Sequence, residues 1–228
     1  MIQSQKNALI VGASRGLGLG LVETFLARGW HVTATQRSSS PDLARLDAKT
    51  LRVETADIDD AASVAALHDR LADQRFDLIF VVAGVATQAH DPVHAVPRDV
   101  AAQVYLTNAV SPIRFVEAFL DRLAPGGSLA LMSSILGSVS LNETGCWETY
   151  RASKAALNTL ARSFEIRHRA ESVSVLILHP GWVRTDMGGA EADIDVATSV
   201  AGLADVITAR LGQPGAHYLD YRGATLPW

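Results

Sequence analysis

Seven short apolar runs recur along the chain, and longer segments of helical period separate them. The runs at 8–11, 31–35, 51–55, 78–82, 128–132, 173–178 and 217–220 read as strands. That at 78–82 is apolar at every position, and that at 173–178 at every position but Ser174. That pattern suits central parallel strands covered on both faces, whereas a half-exposed strand alternates. Helical spacing of apolar residues predicts helices over 17–27, 61–71, 98–123 and 196–211, and another that carries Lys154 and runs to about 169. Gly29 closes the first of these, and Pro125-Gly126-Gly127 ends the long one. The βαβα alternation predicts an α/β fold built on a doubly wound, parallel, seven-stranded sheet with helices on both faces. There is no internal repeat and no dividing linker, so residues 1–228 are expected to form a single domain. Three segments lack periodicity: 83–96, 138–149 and 181–195. Each follows one of strands four to six, at the carboxyl ends where open α/β sheets bind ligands.

Composition narrows this picture. Of 228 residues, 48% are hydrophobic and 19% charged, which is compatible with a sizeable core and argues against global disorder. A net charge of −4 and scattered Lys and Arg give no electrostatic reason to bind nucleic acid or an anionic membrane. The lone Cys146 can form neither an intrachain disulfide nor a zinc cluster, and no metal site is expected. No signal-like leader and no apolar run of membrane length stands out, so the expectation is a cytoplasmic protein.

The first strand leads directly into Gly12-Ala13-Ser14-Arg15-Gly16-Leu17-Gly18, which opens the first helix. Glycines let a backbone turn tightly and approach a pyrophosphate, and the helix N-terminus offers it free N–H groups. The spacing, Gly-x-x-x-Gly-x-Gly, is a variant of the Rossmann dinucleotide fingerprint. An acidic residue at the end of the second strand would bind the ribose 2′-hydroxyl of NAD. Here that strand ends Thr35-Gln36-Arg37. Arg37 and Arg15 are two guanidiniums suited to a 2′-phosphate, so NADP (NADPH) is expected in preference to NAD.

Tyr150 and Lys154 stand four residues apart on a predicted helix, on one face of it. An ammonium beside a phenol favours the phenolate, so Lys154 is expected to lower the Tyr150 pKa and make it a general acid/base for carbonyl–alcohol chemistry. Ser133 and Ser134, at the end of the fifth strand, both compete for a supporting role, and only one can face the tyrosine. Trp147 and Trp182 are candidates to line the same pocket, and Cys146 reads as a spectator thiol.

Together these motifs resemble the short-chain dehydrogenase/reductase family over essentially the whole chain. The resemblance implies a catalytic tetrad of Asn108, Ser134, Tyr150 and Lys154, with Ser134 preferred to Ser133 as the second serine of Ser133-Ser134-Ile135-Leu136-Gly137. It implies a cofactor site of Gly12, Ser14, Arg15, Gly16, Leu17, Gly18, Arg37, the adenine-side pair Asp57-Ile58, Ala83, Gly84, Tyr150, Lys154, and Pro180, Gly181, Val183 and Thr185 near the nicotinamide. Asn108 would anchor a water linking Lys154 to solvent. The wording around Tyr150 and around Pro180 is similar to the branch containing sniffer-type carbonyl reductases and the C-factor signalling proteins. The fourth strand departs from the family's Asn-Asn-Ala-Gly, ending Val81-Val82-Ala83-Gly84, which implies altered cofactor binding. The implied function is NADPH-dependent reduction of an aldehyde, ketone or quinone by a homo-oligomer. The alternative is an NAD(P)-binding signalling or sensor protein of C-factor type with little turnover.

Overall fold

The computed structural model describes residues 5–46 and 48–228. The seven strands form one parallel sheet in the order β3-β2-β1-β4-β5-β6-β7. They are β1 (Asn7–Val11), β2 (His31–Gln36), β3 (Leu51–Thr55), β4 (Phe76–Val81), β5 (Leu123–Met132), β6 (Ser174–His179) and β7 (Gly215–Asp220). Successive strand side chains face opposite ways, so each apolar run feeds two cores. Leu9, Val11, Ile79, Val81, Leu129, Leu131, Val175 and Ile177 point into one. Ala8, Ile10, Leu78, Phe80, Ala130, Met132, Leu176 and Leu178 point into the other.

Helices α3 (Ala61–Arg70), α5 (Ser111–Ala118) and α6 (Glu148–Arg167) cover the first core with Leu67, Phe115, Leu157 and Phe164. Helices α1 (Gly16–Ala27) and α7 (Val196–Arg210) cover the second with Leu21, Phe25, Leu203 and Ile207. A short α2 (Pro41–Ala44), which the periodicity did not announce, is capped by the Ser40 hydroxyl and begins on Pro41. Among the described residues, no helix is long and apolar enough to cross a membrane.

The expected single helix over 98–123 is instead broken. α4 (Arg98–Tyr105) passes into a π-helical turn at Leu106–Val110 before α5, and a 3-10 turn follows at Leu120–Arg122. Pro112 is the physical reason for the first break. It has no N–H to bond the carbonyl four residues back, at Asn108, so the turn widens. β5 begins at Leu123, five residues ahead of expectation, and its pairing with β4 shifts register between Phe76 and Leu78. Pro125-Gly126-Gly127 therefore lies in an irregular strand entry.

Candidate active site

The sheet's strand order reverses between β1 and β4, and the candidate site lies at the carboxyl ends of these and the neighbouring strands. Gly12 has φ +89°, and a Cβ there would stand 2.8 Å from Ala83. A Cβ on Gly18 would stand 2.1 Å from the Gly12 carbonyl oxygen. The turn thus packs backbone on backbone, and only glycine fits either position. The Gly12 N–H donates to Thr35 Oγ1 (3.1 Å), the Ala13 N–H to the Thr35 carbonyl (2.7 Å), and the Ser40 hydroxyl to the Ser14 carbonyl (2.6 Å). Among the described residues, no side chain caps the α1 N-terminus at Arg15. Its first N–H groups therefore remain available to an anion, and the turn fits a dinucleotide phosphate. Leu17 packs against the second core and anchors the start of the helix.

Arg37 is exposed at the end of β2 and has no ion-pair partner among the described residues. Arg15 is engaged otherwise. Its Nη1 lies 2.6 Å from Asp186 Oδ2, joining the glycine turn to the segment after β6. Both groups are more than three-quarters exposed, so this pair contributes little to stability. The Asp57 carboxylate accepts the Asp59 N–H (3.0 Å), and Ile58 packs against the first core.

The 181–195 segment is folded. Val183 and Ile194 form a β-bridge, Arg184 Nη1 donates to the Ala192 carbonyl (2.8 Å), and Trp182 Nε1 donates to the Gly188 carbonyl (2.8 Å). Thr185 Oγ1 accepts the Gly188 N–H (3.1 Å). The Ser199 hydroxyl holds the Pro180 carbonyl (2.6 Å). A Cβ on Gly181, at φ +87°, would meet Ile194 at 2.7 Å. His179, just before this segment, is largely buried, and burial pushes its pKa down to about 4.

Asn108 sits in the π-helical turn, fully buried. Its amide donates to the Val85 carbonyl (2.8 Å) and Ser153 Oγ (3.0 Å), and its oxygen accepts the Val85 N–H (2.8 Å). Its side chain therefore splices the strand-four loop to α6. A Cβ on Gly84 would lie 3.2 Å from Asn108 Oδ1 and 3.4 Å from Lys154 Nζ, so the backbone passes close over both. The two serines separate cleanly. The Ser133 hydroxyl donates to Asn158 Oδ1 (2.6 Å), whereas the Ser134 hydroxyl sits beside the Tyr150 phenol. Tyr218 donates to the Ser134 carbonyl and fixes its backbone.

Tyr150 and Lys154 are both buried on α6, with Lys154 Nζ 5.7 Å from the Tyr150 ring centroid and donating to the Met132 carbonyl (2.9 Å). Here the expected electrostatics are corrected. Loss of hydration pushes the Tyr150 pKa up to about 12, with the Ser134 hydroxyl working the other way, and pushes Lys154 down to about 8. Desolvation outweighs the ammonium's pull because both groups are enclosed and no direct hydrogen bond links them. At neutral pH the phenol is thus protonated, and the lysine lies within about a unit of neutrality.

Helix α6 begins at Glu148, and Trp147 before it adopts a left-handed conformation (φ 61°, ψ 37°). A bulky residue there carries about 1–3 kcal/mol of strain, which surrounding structure must hold. The Trp147 ring stands edge-on to Tyr150, centroids 5.6 Å apart, and to His90, 4.9 Å apart. Buried Arg151 ties down the preceding loop by donating to the Cys146 carbonyl (2.7 Å) and Thr144 Oγ1 (3.1 Å). Cys146 itself is exposed. Sequence reasoning missed Thr35, Ser153, Asn158 and Tyr218 as supports. Ser153 alone left a readable signal, since it is the small residue directly before Lys154.

Residues 6–194 match the short chain dehydrogenase family. A carbonyl reductase from Pseudomonas aeruginosa PAO1 in complex with NADP is 40% identical, with a TM-score of 0.91 over 99% of this chain and 100% of its own. The carbonyl reductase Sniffer of D. melanogaster is 30% identical, with a TM-score of 0.87 over 98% of this chain and 100% of its own. The C-signal of Myxococcus xanthus is 38% identical over 129 residues, 56% of this chain and 78% of its own length. With the match extending over the glycine turn, the Asn108 turn, both serines and the Tyr150–Lys154 helix, the chain belongs to the short-chain dehydrogenase family.

Proposed function

We propose that this chain is an NADPH-dependent reductase of aldehydes, ketones or quinones. The observation that carries the reading is the buried Tyr150 phenol beside the Ser134 hydroxyl, with Lys154 one helical turn behind it. NADPH, when bound, supplies the hydride to the carbonyl carbon. The cofactor would be held by the Gly12–Gly18 turn and the α1 N-terminus, with Arg37 and Arg15 toward a 2′-phosphate and Asp57 and Ile58 toward the adenine. The backbone at Ala83 and Gly84 and the Pro180, Gly181, Val183 and Thr185 segment complete the cradle. Tyr150 donates its proton to the carbonyl oxygen as charge develops there, and Ser134 donates a hydrogen bond to the same oxygen. Lys154, titrating near neutrality, restores the proton. Asn108 holds the loop and helix that frame this transfer.

The test is NADPH consumption across a panel of aldehydes, ketones and quinones. Turnover of at least one class is expected. Tight NADPH binding with no turnover would favour a cofactor-sensing signalling protein, a reading supported by the C-signal likeness. Arg37 supports the choice of cofactor, being a guanidinium unengaged among the described residues at the end of β2. Arg37→Ala is expected to lower the ratio of kcat/KM for NADPH over NADH by about tenfold, the scale of a charge-assisted hydrogen bond. An unchanged ratio would remove the assignment. Pairing of copies is part of the proposal and draws on the exposed Tyr105, Leu106 and Ile166 around α4 and on α6.

A further inference from the structure

We propose that Trp147 determines substrate specificity, its indole forming the wall on which planar aromatic carbonyl compounds lie, and that His90 positions it. This deepens the reductase reading and rests on it. Three observations converge. First, the indole stands 5.6 Å from the Tyr150 ring at an interplanar angle of 78°. A carbonyl held by the Tyr150 and Ser134 hydroxyls therefore brings its substituents within van der Waals reach of Trp147. Aromatic rings pair at centroid separations of 4.5–7 Å, edge-on or offset.

Second, the indole is held rather than free. Its backbone is left-handed, and His90 packs against it edge-on at 4.9 Å, from the loop after β4. That loop is pinned to the start of α6 where the Val93 N–H donates to Glu148 Oε2 (3.0 Å). Trp147 is nevertheless only half-buried, so part of its surface remains open. A residue placed for core packing alone would be enclosed.

Third, large apolar side chains are exposed on all three loops that follow β4, β5 and β6. They are Val93 on the first, Val139 and Leu141 on the second, and Trp182 and Met187 on the third. These loops leave the same edge of the sheet as Tyr150's site. Val139 lines a groove with Ala155, Thr159 and Trp228, while the others lie on loops beside the site, where exposed apolar groups gathered together mark a ligand surface. Arg151 holds the Trp147 loop from behind. The class this wall fits is a carbonyl conjugated to a flat ring.

Two α-dicarbonyl probes separate the ring from the reaction: isatin, which is fused to a planar ring, and 2,3-butanedione, which has none. Trp147→Asn removes the indole while keeping a residue type that tolerates the left-handed backbone. Trp147→Phe keeps an aromatic ring and controls for folding. Trp147→Asn is expected to lower kcat/KM for isatin about tenfold, mainly through KM, and to change it less than threefold for 2,3-butanedione. Trp147→Phe should stay within about threefold for both, and His90→Ala should lose about threefold on isatin alone. Calorimetric binding of isatin in the presence of NADP+ reads the wall without turnover and should show the same loss in Trp147→Asn. Equal losses on both probes, no loss on isatin, or no isatin binding by the unaltered protein would overturn the proposal. Trp147-dependent isatin binding in a protein that turns over neither probe would sink the reductase reading and leave the wall standing.

Discussion

Tyr150→Phe is expected to lower kcat for carbonyl reduction at pH 7 by about 10²–10⁴, the usual contribution of a positioned general acid. The substitution removes one oxygen and keeps the ring that Trp147 and Lys154 pack against. Loss of fold is therefore not the expected cause, and the unfolding midpoint should move by no more than a few degrees. NADPH affinity should hold within about threefold, because the glycine turn, Arg37 and the Pro180–Thr185 segment are untouched. Stopped-flow turnover measured beside fluorescence-detected NADPH binding distinguishes the two effects. The phenol's pKa of about 12 sharpens the expectation. A group that stays protonated throughout the neutral range always has its proton to give, so reduction should show no loss of rate from Tyr150 ionisation between pH 6 and 9. A variant that keeps more than about a tenth of the activity would remove Tyr150 from the role of proton donor.

Most of the fold was legible because parallel strands buried on two faces write an unmistakable pattern. Leu78 to Val81 has no polar position because alternate residues feed different cores. The glycine turn was legible for a related reason. Gly12 and Gly18 have no room for a Cβ, so the constraint is written in residue type. The helix over 98–123 was misread because Pro112 acts on the carbonyl of Asn108, and helical periodicity does not register a missing donor. It is at that break that Asn108 turns inward. The preference for Ser134 over Ser133 came from the family resemblance; its physical reason lies in Asn158, twenty-five residues past Ser133, whose amide oxygen takes the Ser133 hydroxyl. The Arg15–Asp186 pair joins positions 171 apart and leaves no trace in either local pattern. The left-handed backbone at Trp147 is equally silent, since tryptophan is among the last residues a turn rule would choose there.

The pKa reversal shows most directly what the sequence could not supply. A Tyr-x-x-x-Lys spacing fixes proximity, but the sign of a pKa shift depends on how much water three packed elements exclude. Lys154→Met tests that sign. The unfolded lysine titrates at 10.5 and the folded one at about 8. Between those values the unfolded chain holds a proton that the folded chain has released. Wild-type stability should therefore rise as pH increases from about 8 to 10.5, and below 8 the folded state bears the full penalty of a buried charge. A shift of that size corresponds to about 3 kcal/mol. Lys154→Met has no such penalty to relieve. Relative to wild type, the variant should be about 3 kcal/mol better off at pH 7 than at pH 10.5, read by denaturant unfolding at both values. It leaves the Met132 carbonyl without its donor, which shifts both measurements alike and cancels in the comparison. Its reductase activity should fall about a hundredfold or more, since Tyr150 loses its source of protons. Parallel stability curves for the two proteins would show that Lys154 is not depressed. A fully active variant would show that Tyr150 recovers its proton by another route. The expected pairing, a protein freed of its penalty at neutral relative to alkaline pH by a change that silences it, is what a charge buried for chemistry rather than for stability should produce.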